Sequence, residues 1–403
     1  MYVDESVQTS YVAAWQRRRH RTAWASAAVL VLAAAVAAGA FQLADGRRPT
    51  APGPAYAVTW AGAGDSDHLY LVRQCAEMGC VPEMFASANG GRTWSGRTVA
   101  GYSLDGPFEV PGPRMLMRRF DTSGTTPAAG GPDNRVLVSA DAGATWNPIR
   151  IAPEPVAAAP EGFEIVCGLP EHIAFPCPLF AIDANGVARP LANQPPLAGL
   201  TLSAVPAAAG VWASGYDPVS RRPAVSVSHD RGRTWVTRVF YELYPVFQMS
   251  DGGTYQHLTP DVASADGITA YATMTEVEPT DDRNASFLTR GRERVMRTTD
   301  GGLTWQLADP QRTIPIQLNE PARGRSYVTR AGAHVLTYWW ETSRGVFAYV
   351  SPDGQRYDWT RMPGLPARVQ TRLYPGGVYL AWGPDGLFRS DDGAVWRAVT
   401  LPS

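Results

Sequence analysis

Four consecutive residues, Tyr338, Trp339, Trp340 and Glu341, form the densest group of chemically useful side chains outside any repeated motif of this 403-residue chain. On an exposed loop or rim, such aromatic rings could stack on a sugar ring or anchor a protein partner. Buried, they would instead pack between strands, where alternation would place one Trp inside and the other outside. Both interpretations stay open, and the cluster is the first candidate for ligand binding.

Other chemical signatures are weak. The sequence contains no nucleotide-binding Gly loop, no Ser nucleophile elbow and no zinc-helix motif. A retaining or inverting glycosidase needs two carboxylates that face a cleft, and no spacing selects two of the scattered Asp and Glu residues. The formal net charge of -1 gives no bulk field that would attract nucleic acid. We therefore expect no cofactor, no metal site and no nucleic-acid partner.

The four cysteines fall into two close pairs, Cys75 with Cys80 and Cys167 with Cys177. In an exported domain this spacing favours two local disulfides that close small loops, with free buried thiols as the alternative. Only His172 lies between the second pair, and one His does not make a metal site.

Short β-rich runs bounded by turn residues would have to position these groups. Runs at 68–72, 135–138, 224–227, 345–350 and 377–382 are typical, and helical periodicity is almost absent after residue 55. Many short strands together with 39 Gly, 34 Pro and 13 Trp suit an all-β domain.

A tryptophan-bearing turn of the form Ser/Thr-x-Asp-x-Gly-x-Thr-Trp recurs along this part of the chain. Three copies fit fully, one has Asn89 in place of Asp, and a fifth, aligned on Asp391, keeps Asp, Gly and Trp but neither hydroxyl. Asx beside Gly supplies the backbone angles of a tight turn, and the Trp that follows can bury a large area against a neighbouring unit. The motif residues are Ser87, Asn89, Gly91, Trp94, Ser139, Asp141, Gly143, Trp146, Ser228, Asp230, Gly232, Trp235, Thr298, Asp300, Gly302, Trp305, Asp391, Gly393 and Trp396.

This repeat resembles the Asp-box, or BNR, repeat of sialidases, sortilin-like receptors, some endoglucanases and several non-enzymatic propellers. The resemblance covers residues 55–403 and implies a β-propeller in which the motif lies at the blade periphery, away from the ligand.

Spacing of the motif predicts the number of blades. The intervals from Asp141 to Asp230 and from Asp300 to Asp391 are long enough to hide one degenerate blade each, with eroded turns at 180–186 and 351–359. This gives about seven four-stranded blades, with six or eight as alternatives. We also expect the segment 56–60 to close the ring by completing the last blade.

The resemblance also defines the sharpest enzymatic hypothesis, a sialidase-like exo-glycosidase. Its family uses three Arg to hold the substrate carboxylate, a Tyr–Glu nucleophile pair and an Asp acid/base. The adjacent Tyr241 and Glu242 are candidates for the pair, although the family's pair need not be adjacent. The family's Phe/Tyr-Arg-Ile-Pro motif does not precede the first turn, and the nearest string, 312–315, has an inserted Thr and follows the fourth good copy.

The N-terminal part predicts a membrane anchor. Residues 1–22 form a basic cytoplasmic tail, 23–44 an uncharged apolar helix long enough to span a bilayer, and 45–54 a Pro/Gly linker. More Arg residues precede the apolar run than follow it, which orients the C-terminal part outside the cell. The alternative is secretion after signal-peptide cleavage.

Taken together, the sequence predicts an extracytoplasmic β-propeller of one domain, 55–403, that binds a glycan or protein ligand and performs no turnover. The sialidase-like glycosidase is one alternative. The other is a bitopic signalling protein with an anti-sigma-like cytoplasmic tail. A polar stretch at 275–292 is a further candidate insertion, because propellers place ligand contacts on the connections of one face.

Overall fold

The computed structural model describes residues 56–75, 82–98, 108–112, 114–118, 136–167, 177–243, 259–277, 291–308, 314–316, 323–338, 346–366 and 369–402. The predicted tail at 1–22, the apolar segment at 23–44 and the linker at 45–54 lie outside these residues. Within the described ranges, no helix has the length and apolarity needed to cross a bilayer.

The described strands form seven sheets that follow one another along the chain as the blades of a β-propeller. Sheet one contains β1 (Tyr56–Ala63), β2 (His68–Cys75), β3 (Glu83–Ala88) and β4 (Ser95–Arg97). Sheet two contains β5 (Phe108–Glu109), β6 (Leu116–Arg118), β7 (Leu137–Ser139) and β8 (Asn147–Pro148). Sheet three contains β9 (Arg150–Ile151), β10 (Glu164–Cys167), β11 (Leu179–Ile182) and β12 (Val187–Pro190). Sheet four contains β13 (Ala198–Leu202), β14 (Val211–Tyr216), β15 (Pro223–Ser228) and β16 (Val236–Val239), with a single turn of 3-10 helix at Ala207–Ala209.

The remaining three sheets complete the ring. Sheet five contains β17 (Asp261–Ser264), β18 (Ala270–Val277), β19 (Gly291–Thr298) and β20 (Gln306–Ala308), with β21 (Ile314–Ile316) paired to β19. Sheet six contains β22 (Arg323–Val328), β23 (His334–Tyr338), β24 (Phe347–Ser351) and β25 (Asp358–Arg361). Sheet seven contains β26 (Gln370–Leu373), β27 (Tyr379–Gly383), β28 (Gly386–Ser390) and β29 (Arg397–Val399). First strands of neighbouring sheets approach one another, as β17 does β22 and β22 does β26, so they lie innermost.

Apolar side chains of the second and third strands hold the sheets together. All six residues of β15 are buried, and Leu69, Leu71, Trp212 and Tyr271 are essentially inaccessible to solvent. Because both faces of each sheet meet a neighbouring sheet, these strands are apolar on both sides rather than alternating. The outermost strands β4, β8, β25 and β29 are mostly exposed.

Tyr56–Ala63 does not complete the last sheet, so the predicted closing strand is wrong. The register pairs Ala61 with Leu71 and Gly62 with Tyr70 inside sheet one. Sheet seven takes all four of its strands from β26 to β29 in consecutive order. Sheet seven thus takes no strand from the N-terminal segment. Among the described residues, side chains and close packing join sheet seven to sheet one.

Sheet three departs from the common order. Its strands run β10-β11-β12-β9, and β9 pairs in parallel with β12 through Val187–Arg150 and Ala188–Ile151. The strand β8 of sheet two leads almost directly into β9, so one extended run borders both sheets. Ile149 N donates to Val136 O at 3.1 Å in sheet two, whereas Arg150 N donates to Gly186 O at 2.9 Å in sheet three.

Candidate functional site

The repeated turn is a closed hydrogen-bond network. In sheet four, the Ser228 hydroxyl donates to Asp230 Oδ1 at 2.8 Å and accepts from Gly232 N at 2.7 Å. Asp230 Oδ1 also accepts from Thr234 N at 2.9 Å, and Asp230 Oδ2 accepts from the Thr234 hydroxyl at 2.6 Å. The same contacts recur around Asp141 and Asp300. Both carboxylate oxygens are therefore used inside the turn.

Asn89 makes the network of the first turn with one bond reversed. Its Oδ1 accepts from the Ser87 hydroxyl and from Thr93 N, as the Asp copies do. Its Nδ2 donates to Thr93 Oγ1 at 2.8 Å, whereas in the Asp copies the Thr hydroxyl is the donor. The amide reproduces the turn without a titrating group.

Each turn glycine packs against the preceding sheet. A Cβ on Gly91 would lie 2.4 Å from Val399 of sheet seven, and a Cβ on Gly302 would lie 2.8 Å from Val227 of sheet four. A Cβ on Gly232 would lie 2.6 Å from Leu191, which follows the last strand of sheet three. These glycines also have φ of 87°, 93° and 86°, a region that L side chains rarely adopt. The motif is thus a spacer between blades as well as a turn.

The turn tryptophans extend the same contact between sheets, as the sequence predicted. Trp94 Nε1 donates to Thr400 O of sheet seven at 2.7 Å, and Trp235 Nε1 donates to Asn193 O at 3.0 Å. Trp305 and Trp396 are buried.

The fifth copy of the motif is shifted by one residue from its predicted alignment. Its hydroxyl belongs to Ser390, which donates to Asp392 Oδ1 at 2.8 Å and accepts from Gly393 N at 2.8 Å. Asp391, the predicted turn residue, instead forms ion pairs with Arg389 and Arg397. The prediction was wrong because this turn has one residue fewer between its Asp and its Gly. An alignment on Gly393 and Trp396 therefore selects Asp391 in place of Asp392 and does not detect the hydroxyl of Ser390.

The eroded turn predicted at 351–359 has the same short form. Gly354 N donates to the Ser351 hydroxyl at 2.8 Å, and Gln355 N donates to Asp353 Oδ1 at 2.8 Å. Counting from the hydroxyl, Tyr357 occupies the place that Trp396 has in sheet seven. Tyr357 is buried, whereas Trp359 is 42% exposed.

The turn predicted at 180–186 lies between β11 and β12. Asp183 Oδ1 accepts from Asn185 N and Val187 N, and a Cβ on Gly186 would lie 2.7 Å from Val138 of sheet two. It therefore packs on the preceding sheet as the full turns do, without their hydroxyl and Trp. Glu164, at the start of β10, lies beside Gly112 of the β5–β6 connection, so β10 begins at this same face of the ring. In each of the other sheets, the first strand ends at this face. Among the described residues, sheet three has no equivalent strand.

The turn carboxylates are stabilised in their ionised form. Burial of the Asp230 carboxylate raises its pKa, but hydrogen bonds from the Thr234 hydroxyl and amide and from Ser228 outweigh this effect and lower the pKa to about 2. Hydrogen bonds from the Thr304 hydroxyl and amide likewise lower the pKa of Asp300 to about 2. Carboxylates held this way are structural rather than available to a ligand.

Connections on the two faces of the ring differ in length. The turns share one face, here called the turn face, with the first-to-second strand connections, as bonds from Gly90 N to Asp67 O and from Gly301 N to Ile268 O show. The longest connection on the turn face is 203–210. Where consecutive strands alternate in direction, the other connections leave at the opposite face, here called the loop face. They include the long connections 119–136, 168–178, 240–260 and 278–290. The exception is 152–163, which follows β9 and crosses to the turn face, where Ala159 N donates to Arg231 O at 2.9 Å.

Two of the predicted site groups reach the loop face on different sheets. Tyr241 and Glu242 follow β16, the outermost strand of sheet four, and Tyr241 is 64% exposed. Glu242 pairs with Arg238 at 3.4 Å, and Arg222 Nη1 donates to Tyr241 O at 2.7 Å. Tyr338 is the last residue of β23 in sheet six, so sheet five separates it from Tyr241. Trp339, Trp340 and Glu341 lie outside the described residues.

Polar side chains link neighbouring sheets near the innermost strands. Asp261 Oδ2 accepts from Ser326 N at 2.7 Å and from the Ser326 hydroxyl at 3.0 Å, which joins sheets five and six. The hydroxyl of Thr337, on the second strand β23, lies 2.9 Å from the hydroxyl of Thr371, on β26, between sheets six and seven. Among the described side chains of the innermost strands, Arg372 is the one guanidinium, since Arg323 and Arg325 are described by backbone alone. The Arg trio of the glycosidase hypothesis is thus not assembled from the described side chains.

One predicted disulfide is confirmed. Cys167 and Cys177 are bonded, and the bond closes the loop-face connection between β10 and β11. Cys75 ends β2 at the same face, and Cys80, its predicted partner, lies outside the described residues. No group of His, Cys, Asp and Glu within the described ranges could hold a metal ion.

A surface aromatic pair was not predicted from the sequence. Trp359 on β25 lies opposite Tyr349 on β24, with ring centroids 4.7 Å apart and planes inclined by 54°. The spacing in the sequence could have indicated this pair. In the shortened turns the buried aromatic residue follows the hydroxyl by six positions, which selects Tyr357 and leaves Trp359 two residues beyond it.

Solved structures with this fold have diverse activities. The propeller domain of the Trilobed protease from Pyrococcus furiosus matches 86% of this chain and 96% of its own, with 8% identity and a TM-score of 0.43. A prolyl endopeptidase matches 86% of this chain with 10% identity and a TM-score of 0.49, and the chain spans 48% of its length. A Hadza microbial sialidase matches 57% of this chain and 55% of its own, with 17% identity and a TM-score of 0.31. No family model matches the sequence, and no curated protein is significantly similar. With identities of 17% or less and TM-scores under 0.5, these matches carry no argument about the activity of this chain.

Proposed function

We propose that this chain is a binding or scaffold module that receives a glycan or protein ligand on the loop face of its propeller. The observation that carries the proposal is the difference between the two faces. On the turn face, carboxylates, hydroxyls and amides satisfy one another, whereas the long connections 119–136, 168–178, 240–260 and 278–290 leave at the loop face. Binding residues concentrate on long connections that a rigid scaffold positions.

Two features of the loop face support this assignment. The Cys167–Cys177 disulfide restrains one of its connections, which lowers the entropy that a ligand would otherwise have to remove. Tyr241 presents an exposed ring there, and the sequence places Trp339 and Trp340 directly after β23, which ends at this face. Aromatic rings of this kind serve as anchors in both glycan and protein recognition.

The proposal includes an extracytoplasmic location. A disulfide in the propeller is typical of an oxidising compartment, and the apolar segment at 23–44 would anchor the domain to the membrane. The Asp-box assignment belongs to the same proposal, supported by the recurring Ser–Asp–Gly network of the turns.

A blocking experiment tests the ligand face. In the full-length chain, held in detergent, Val219→Cys and Leu303→Cys would each be labelled with a bulky maleimide-polyethylene glycol. Val219 is 89% exposed on the loop face, and Leu303 is 65% exposed on the turn face, so the two labels form a matched pair. We expect the label at position 219 to reduce capture on a panel of immobilised glycans and purified cell-surface proteins, and the label at 303 to leave it unchanged.

The outcomes separate the hypotheses. Loss of capture with the label at 303 and not at 219 would place the ligand on the turn face and reject the proposal. Cleavage of a fluorogenic sialoside by the unlabelled chain would instead support the glycosidase. Loss of that cleavage with the label at 219 would then locate the active site on the loop face.

A further inference from the structure

We propose that Trp359 and Tyr349 form a stacking platform for a carbohydrate ring on the outer strands of sheet six. This site is separate from the loop face and goes beyond the function proposed above. It rests on the exposure of Trp359, on the geometry of the ring pair and on the exposed Arg361 on the same face of the strand.

The core of sheet six does not need Trp359. Tyr357 takes the buried place at the end of the shortened turn, with 5% exposure and its hydroxyl 2.7 Å from His334 Nδ1. The two rings of that pair meet edge to face, with planes inclined by 81°. His334 in turn stacks on Tyr271 of sheet five at 4.2 Å, so the contact between the sheets is complete at this level.

Trp359 instead presents its ring to solvent at the side of the propeller. All four residues of β25 are exposed, and Trp359 itself is 42% exposed. Tyr349 lies opposite it across the strand pair and is half-buried, which fixes the position of the platform. The two ring centroids are 4.7 Å apart and the ring planes are inclined by 54°, so the pair forms an aromatic surface on the outer strands.

Arg361 is the polar group on the same face of β25 as Trp359, two residues further along, and it is exposed. Asp358 and Thr360 are exposed on the opposite face, where Asp358 forms an ion pair with Arg356 at 3.1 Å. A pyranose has one apolar face of C–H bonds that packs on an aromatic ring, and a rim of hydroxyls that exchange hydrogen bonds with guanidinium groups. The aromatic pair with Arg361 beside it offers both kinds of contact.

A protein occupant fits this surface less well. A stable protein interface needs a broad patch, roughly 800 Å² per partner, with an apolar centre. Among the described residues, the other large exposed apolar side chains lie on other sheets, at Val219, Val236, Tyr241, Ile268, Leu303 and Val395. Charged residues at both ends of β25, Asp358 and Arg361, also oppose pairing of this edge with a second strand. A small ligand that needs one ring and a few hydrogen bonds is therefore favoured over a second copy or a peptide.

The test measures binding of the full-length chain to immobilised cellohexaose, chitohexaose and isomaltohexaose by biolayer interferometry. We expect at least one sugar to bind, and Trp359→Ala to weaken it by about tenfold or more, equivalent to ~1.4 kcal/mol. Trp359→Phe, which keeps a ring, should retain an intermediate affinity. Ile268→Ala is the control, since it removes an exposed apolar side chain from the turn face of sheet five and should change nothing.

Two results would overturn the inference. One is an affinity of Trp359→Ala within about twofold of the unmodified chain for every sugar that binds. The other is no binding of any of the three sugars by the unmodified chain. The label at position 219 distinguishes the sites, because it should block the loop face without affecting sugar binding at Trp359.

Discussion

The ring is joined in two different ways at two of its junctions. Between sheets seven and one, side chains and closely packed glycines make the contact among the described residues. Between sheets two and three, one run of main chain, 147–151, hydrogen-bonds to both sheets. The comparison shows where single substitutions should matter, because a side chain can be removed by mutation and a main-chain donor can be removed only by proline.

Arg73 is the centre of the first junction. Its Nε donates to Glu83 Oε2 at 2.7 Å, and its Nη1 donates to Pro402 O at 2.6 Å. The guanidinium lies 4.2 Å from the Tyr56 ring and 4.8 Å from the Phe85 ring. Arg389 Nη1 also donates to Ser66 O at 2.7 Å across the same junction. The last residues of the chain are thereby held to sheet one without a shared strand.

The largest effect should follow from Gly376→Ala. A Cβ at this position would lie 2.2 Å from Gly64 O, a main-chain atom of sheet one that cannot rotate away. We expect the variant to lose ~3 kcal/mol or more of the free energy of unfolding, because the two sheets must separate to admit the methyl group. Urea denaturation followed by tryptophan fluorescence measures it.

The neighbouring Gly377 provides the control. Its φ is 75° but no atom lies within 4 Å of its Cβ position, so Gly377→Ala should cost only the ~1 kcal/mol of backbone strain. Equal losses in the two variants would contradict the close packing of this junction.

The next largest effect should follow from Arg73→Ala. It removes two charge-assisted hydrogen bonds and the contacts with two rings, and we expect a loss of ~2–3 kcal/mol. The expected loss of stability is no larger because Glu83 is 41% exposed, so water can replace part of its ion pair with Arg73. Arg73→Lys should recover less than half, since a single ammonium cannot make both bonds of the fork. Full recovery by Lys would mean that charge alone stabilises the junction.

At the junction between sheets two and three, two substitutions of Arg150 separate the main-chain contribution from the side-chain contribution. Arg150→Pro removes the N–H that donates to Gly186 O, and we expect a loss of ~1–3 kcal/mol. Arg150→Ala keeps that donor and loses only an exposed side chain, so it should stay within ~0.5 kcal/mol. If the Ala variant were as unstable as the Pro variant, the junction would depend on side chains as the first one does.

The smallest effect concerns the turns. Asp230 has a lowered pKa of about 2, so its contribution to stability is present above its unfolded pKa of about 4 and is lost as the pH falls through about 2. Asp230→Asn should adopt the reversed bond seen at Asn89 and cost well under ~1 kcal/mol at pH 6, because the turn is exposed. Its stability should then fall less steeply than that of the unmodified chain between about pH 4 and pH 2.

Asn89→Asp provides the opposite change. It adds a titrating turn carboxylate, so it should make acid denaturation slightly steeper. Identical acid profiles for both variants and the unmodified chain would show that the turns do not contribute to the pH dependence.

Local sequence predicted much of the fold. The tryptophan-bearing turns, the number of blades and the position of both degenerate blades followed from motif spacing, since a tight turn with Asp, Gly and a hydroxyl needs only a few adjacent residues. The Cys167–Cys177 bond was also predictable, because the two residues are close along the chain.

Pairings between distant residues were not predictable in this way. The strand β1 has the same β-rich character whether it pairs in the first sheet or the last, so its partner depends on which edges the other strands leave open. The alignment of the fifth turn on Asp391 failed because a one-residue deletion in a turn changes its hydrogen bonds and leaves its composition similar.

The sequence by itself therefore determined a ring of repeated blades with one face of closed turns, because those turns are made by neighbours in the chain. Only the tertiary structure decided how the ring closes and which aromatic residue of sheet six is exposed. It also decided that the outer strand of sheet three is β9, which directly follows β8 of sheet two. These outcomes depend on competition among many similar strands and rings for a few buried positions, and that competition is settled only when all seven sheets are packed together.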